Sequence, residues 1–191
     1  MRRMTSRDEA AFIGGRSGVG KSSVGHEIHA QLSAAGVSHC LIEGDNLDMA
    51  RPVPHEHGHR LAEKNLAAMW ANYRALGHGR MIYINTAGVF PSVVDELTAA
   101  MGGEPLVTLI LLTCDDRTAR SRLERREIGS MLDWHADRGE AMARKLDERV
   151  PDTVRRVVTD SRVIADIAAE IIGIAGWAAG RDSRRPPSTE G

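Results

Sequence analysis

The chain has 191 residues, 42% of them hydrophobic, which is enough for one well-buried core and makes a single domain the economical reading. Its 25 basic and 26 acidic residues leave a formal charge of -1, which argues against bulk attraction to nucleic acid or to an anionic membrane. No apolar stretch is long enough for a signal peptide or a membrane span, so a cytoplasmic protein is expected. After a polar arm over 1–9, an apolar run at 10–13 reads as a strand and leads into the loop GGRSGVGKSS and a helix over about 21–35. Further strands are expected at 39–43, 80–85, 106–113 and 156–159. Helices fall between and after them at about 59–76, 92–101, 117–127, 131–149 and 161–178, before a polar, proline-bearing tail over 179–191 that reads as disordered. This alternation predicts a three-layer α/β fold on a parallel sheet of five strands, in which ligands bind beyond the carboxyl ends of the strands. Cys40 and Cys114 fit no metal-ligand spacing and read as reduced core thiols.

The first strand exit carries the strongest signal. Gly15-x-x-x-x-Gly20-Lys21-Ser22 satisfies the pattern in which backbone N–H groups wrap a phosphate, lysine neutralises it and the hydroxyl ligates magnesium. Among the basic residues only Lys21, Lys64 and Lys145 are lysines, so a lysine inside the glycine loop is not compositional noise. The required strand before and helix after are both present, and the helix adds its positive dipole end. Gly15, Ser17, Gly18, Val19, Gly20, Lys21, Ser22 and Ser23 are therefore candidates for nucleotide binding, with Ser22 as the magnesium ligand.

Two classes of nucleotide-binding protein fit poorly. A GTPase needs a guanine-reading N/T-K-x-D segment, which the sequence lacks. A motor-type ATPase needs an apolar strand ending in acidic residues. Val93-Val94-Asp95-Glu96 offers only two apolar residues, and Pro91 stands where it can open a helix.

The second strand ends in Glu43-Gly44-Asp45-Asn46, and a phosphate loop followed by such an exit resembles the adenylylsulfate kinases. More broadly the chain resembles the small P-loop kinases that include gluconate kinases, chloramphenicol phosphotransferase and nucleoside monophosphate kinases, over most of 10–178. The resemblance implies ATP and Mg2+, an arginine-bearing helical lid over about 117–138, and an acidic residue after strand two that faces the acceptor hydroxyl. Asp45 holds the matching position, with Glu43 a weaker candidate; the alternative for Asp45 is a helix cap. The sequence departs from the adenylylsulfate kinases at Leu47-Asp48 and at Asn85-Thr86-Ala87-Gly88, which argues against a sulfate nucleotide as substrate.

Asn85 and Thr86 still lie at a strand exit, where they could serve substrate or cap a turn. Arg51 and Arg60 bracket a polar insertion suited to an anionic or polyol acceptor. Its histidines, His55, His57 and His59, alternate along a loop, which does not set up a metal site. Arg122 and Arg126 share a helical face by their four-residue spacing. The resemblance makes them phosphate clamps, with Arg138 a further candidate; the alternative is a solvated helix laced with Glu124 and Glu127. Thr159-Asp160-Ser161-Arg162 resembles the loop that borders adenine, and Asp160 equally suits a helix cap. The expected activity is transfer of the γ-phosphoryl group of ATP to a hydroxyl of a small molecule, a metabolite or an antibiotic, with Lys21, Asp45, Arg122 and Arg126 catalytic. A nucleoside or nucleotide kinase and a non-kinase ATP-binding regulator are the alternatives.

Overall fold

A computed structural model of the chain describes residues 7–126 and 132–178. The strands are β1 (Glu9–Gly14), β2 (Cys40–Glu43), β3 (Arg80–Ile84), β4 (Leu106–Thr113) and β5 (Arg155–Val158). They form one parallel sheet in the order β2-β3-β1-β4-β5. The helices are α1 (Lys21–Ala34), α2 (Leu61–Ala75), α3 (Pro91–Met101), α4 (Asp116–Arg126), α5 (Leu132–Arg149) and α6 (Ile164–Ile174).

Strand periodicity decides the layers. Along β1, Ala11 and Ile13 face one side and Ala10 and Phe12 the other, and both sets are buried because helices cover both faces. Ala11, Ile13, Ile84, Ile110 and Leu112 pack under α1 and α6 through Val24, Ile28, Leu32, Ile167 and Ile171. Phe12, Ile42, Met81 and Tyr83 pack against Leu66 and Trp70 of α2 and Leu97 and Met101 of α3. Leu111 meets Leu146 of α5 and Val150, the residue just after it. Gly25 is where α1 presses closest, since a Cβ there would sit 2.0 Å from Ile84 Cδ1. β5 closes one edge, short and with Arg155 and Arg156 exposed, which discourages further pairing.

Strand positions match the sequence reading within a residue or two, whereas two helices are shorter than expected. The chain after β5 stays non-helical through Val163, with Ser161 at φ 52, so α6 starts at Ile164 rather than near residue 161. Before α2, residues Pro54–His57 make a separate single 3-10 turn ended by Gly58. Asp95 lies inside α3, opened by Pro91, and not at a strand end, which removes the motor-type reading. Cys40 is in the core, where burial pushes its thiol up to about 12; Cys114 is half-buried at the exit of β4, and desolvation also raises it. Among the described residues no helix is long and apolar enough to cross a membrane. Residues 1–6 of the expected arm over 1–9, residues 127–131 of the expected lid over about 117–138, and the expected tail over 179–191 lie outside the described residues.

Candidate active site

The strand order reverses between β1 and β3, and a cleft of about 790 Å³ opens above that point, at the carboxyl ends of the strands. Ser17, Gly18, Val19, Gly20, Lys21, Ser22 and Ser23 line one wall, and Glu43, Asp45, Asn46, Met49 and Thr86 line the facing side. Arg122, Thr159, Arg162 and Ile164 enclose the remainder. The two strongest sequence motifs therefore meet across one space.

The loop's glycines are required by packing as much as by any ligand. Gly15, Gly18 and Gly20 have φ of 145, 80 and 104, all in the region that side chains disfavour. A Cβ on Gly18 would lie 2.5 Å from the carbonyl oxygen of Ala119 in α4, and one on Gly15 would lie 2.8 Å from that of Leu112 in β4. Gly15 sits beneath the loop and does not line the cleft.

Within this ring Lys21 is buried, and its Nζ donates to the carbonyls of Gly15 at 2.8 Å and Arg16 at 3.2 Å. An ammonium held at the centre of a glycine cradle at a helix N-terminus fits a polyphosphate. Ser22 Oγ donates to Glu43 Oε2 at 3.3 Å, a hydroxyl beside a carboxylate, which is the hard-oxygen set a magnesium ion takes alongside phosphate and water. His26 lies on the same side, its Nδ1 2.9 Å from the Ser22 carbonyl and 3.9 Å from Glu43 Oε1. Among the described residues no group of three or more His, Cys, Asp or Glu side chains is arranged to hold a metal, the insertion histidines included.

Asp45 belongs to a single 3-10 turn, Gly44–Asn46, whose N-cap is Glu43. Its carboxylate caps no helix. Oδ1 accepts from Asn85 Nδ2 at 2.8 Å and from the Thr86 amide at 3.3 Å, while Oδ2 has no protein hydrogen-bond partner among the described residues. Asn85 is itself fixed, its Oδ1 accepting from the Ala87 amide at 2.8 Å. Gly44 sets the turn on the ring of Tyr83, because a Cβ there would come within 2.3 Å of the phenol oxygen.

Of the expected arginines, Arg122 lines the cleft. Arg122 donates to the Val19 carbonyl, to Thr159 Oγ1 and to the Thr159 carbonyl, each at 2.9 Å. Thr159 Oγ1 in turn donates to Val19 O at 3.0 Å. Arg122 thus ties the phosphate loop to the exit of β5 instead of projecting freely. The side chain of Arg126 lies outside the described residues. Arg138 is exposed on α5 and is not among the residues lining the cleft.

Asp160 does not cap α6. Its two carboxylate oxygens accept the Asp115 amide at 3.2 and 3.3 Å and so join the exits of β5 and β4. Asp115 fills the capping role at α4, accepting the Thr118 amide at 2.6 Å, which holds its carboxyl below the usual range. Arg60 is engaged by Glu63 at 3.3 Å. Arg51 makes no hydrogen bond or ion pair among the described residues and borders a second cavity of about 380 Å³ with Asp48, Met49, Val53 and His55. Met49, exposed and shared by both cavities, carries no sequence signal and is missed by motif reading. So are His26 and Arg16, the latter hidden inside a motif where its position is a free choice.

A parallel sheet in this order, a glycine-rich loop between β1 and α1, and a helix pair after β4 make an α/β fold shared with solved small P-loop kinases. No protein-family model matches the chain, and no curated protein matches it. Solved structures do. A gluconokinase from Sinorhizobium meliloti 1021 is 22% identical, with a TM-score of 0.57 over 90% of this chain and 94% of its own. An APS kinase from Mycobacterium tuberculosis, in complex with AMPPNP and APS, is 20% identical with a TM-score of 0.59, over 89% of this chain and 98% of its own. A tunicamycin resistance protein from Deinococcus radiodurans is 16% identical with a TM-score of 0.62, over 90% and 98%. At these identities the likeness is one of fold.

Proposed function

We propose that the protein is an ATP-dependent, magnesium-requiring kinase that phosphorylates a hydroxyl of a small molecule. One observation carries this reading: the phosphate loop and the Asp45 carboxylate face each other across a single cleft large enough for two ligands. ATP would supply the transferable γ-phosphoryl group. Lys21 would leave the Gly15 and Arg16 carbonyls to neutralise the β- and γ-phosphates, and Ser22, backed by Glu43, would hold magnesium. Asp45 would orient the acceptor hydroxyl and take its proton on Oδ2, since Oδ1 is already held by Asn85 and Thr86. Arg122 would act by keeping the loop closed against the β5 exit, while Arg126 remains the candidate for direct contact with the transferring group. Arg51, unengaged beside the second cavity, would meet a polar or anionic part of the acceptor.

The gluconokinase and the APS kinase among the structural neighbours support the reaction class, and the difference between their named substrates leaves the acceptor to experiment. The test is ADP release from Mg·ATP with candidate polyols, sugar acids, nucleosides and hydroxylated antibiotics. A kinase gives stimulation by one class that Asp45→Asn abolishes. A nucleotide-binding regulator gives slow ADP release that no acceptor changes.

A further inference from the structure

The phosphate loop contains a buried cation that the mechanism above does not use. Arg16 is 3% exposed, and its guanidinium donates through one terminal nitrogen to Asp116 in the first turn of α4. The other terminal nitrogen lies against α5, where a Cβ on Gly139 would be only 3.4 Å away. Its Nε is buried and has no hydrogen-bond partner among the described residues. Asp116 itself is exposed. A guanidinium buried with one partner and an orphaned N–H is a poor device for stability, because an apolar side chain of similar volume serves a core as well or better. Its backbone supplies the other half of the argument: the Arg16 carbonyl accepts from Lys21 Nζ at 3.2 Å and from the Val19 amide at 3.4 Å. One residue is therefore hydrogen-bonded to Lys21 through its main chain and to α4 through its side chain, which also lies against Gly139 of α5.

We propose that Arg16 is a positioning residue that sets the phosphate loop against both helices after β4, so that nucleotide affinity depends on the Arg16–Asp116 pair. When Lys21 turns to a phosphate it leaves the Arg16 carbonyl, and the side-chain anchor keeps the loop in its binding shape. The inference rests on the loop being a nucleotide site.

Titration calorimetry with Mg·ADP on the full chain tests it, using wild type, Arg16→Met, Asp116→Asn and the double variant, well below every melting transition. Each single change is expected to weaken binding about tenfold or more, and the double variant no further than the weaker single, since both remove one coupling. Affinities within twofold of wild type, with only the melting temperature lowered, would make Arg16 a packing residue and overturn the proposal. Losses that multiply in the double variant would also overturn it. Should Arg16→Met not fold, Asp116→Asn, a change on an exposed side chain, decides alone by the same tenfold and twofold outcomes. If wild type itself does not bind Mg·ADP, the nucleotide reading falls and takes this inference with it; wild-type binding with unchanged variants removes this inference only.

Discussion

The two walls of the cleft are built in opposite ways. The phosphate loop is over-determined: three glycines at positive φ, close approach of the Leu112 and Ala119 carbonyls, Lys21 on two loop carbonyls and Arg122 on a third leave it one conformation. The facing wall is anchored only at its root, by the Asp45 carboxylate between Asn85 and Thr86, by Gly44 on Tyr83 and by Asn65 Nδ2 donating to the Leu47 carbonyl at 2.6 Å, and beyond it Met49, Arg51 and His55 stand exposed around a second cavity. A rigid wall suits a ligand whose polyphosphate never changes, and an adaptable one suits the partner on which such folds differ. Substitutions on the first wall should consequently act on nucleotide binding and fold together, and those on the second on turnover alone.

The largest effect expected is for Lys21→Met, which should lower ADP release with an acceptor by roughly a thousandfold or more, because it removes the buried ammonium at the cradle's centre. Asp45→Asn comes next. The amide oxygen can still accept from Asn85 and Thr86, so the turn should persist while turnover falls by about two to four orders of magnitude and Mg·ADP affinity stays unchanged. A parallel loss of affinity in calorimetry would erase the distinction between the walls. Gly18→Ala should be smaller and act on both stability and binding. Its Cβ meets the Ala119 carbonyl and its backbone is strained at φ 80, a penalty of about 1–3 kcal/mol that a melting curve would register.

The smallest effect lies away from both walls and serves as their control. His39 is buried, its Nδ1 donating to the Val37 carbonyl at 2.7 Å and its Nε2 2.8 Å from His29 Nδ1. Burial, ahead of the nearby His29 and His78, lowers its pKa from 6.5. The unfolded chain binds the proton that the buried ring resists, so this contribution is complete above the unfolded value and is lost as pH falls through the folded one. Melting temperature should drop as pH falls below about 6.5, and His39→Gln should flatten that slope without altering nucleotide affinity at neutral pH.

Where backbone geometry dictates residue type, the sequence was readable. The loop at 15–22 needs glycine at set positions and a lysine near its end, and strand runs buried on both faces cannot help being apolar, so the fold and the glycine-loop wall of the cleft could be placed by position alone. Asp45 was legible through the short motif around it, although Gly44 beneath it, shaped by Tyr83, was not, since only the packed structure brings them together. Arginines were the hardest to read. Helical spacing gave Arg122 a face but not its destination on Val19 and Thr159, and nothing in the motif distinguished Arg16 from any other residue at a variable loop position. For Asp160 the sequence offers an adenine-bordering loop and a helix cap equally, both of them local roles. Asp160 serves instead a strand exit 45 residues away, a pairing set by sheet order.

Phosphorus NMR of Mg·ATP incubated with the protein and a stimulating acceptor tests the central claim most directly, because it identifies where the phosphoryl group goes. The expected result is a new phosphate-ester resonance growing with ADP in wild type and absent in both Lys21→Met and Asp45→Asn. Appearance of ADP and inorganic phosphate alone, at a rate that Asp45→Asn leaves unchanged, would contradict a kinase acting at this cleft.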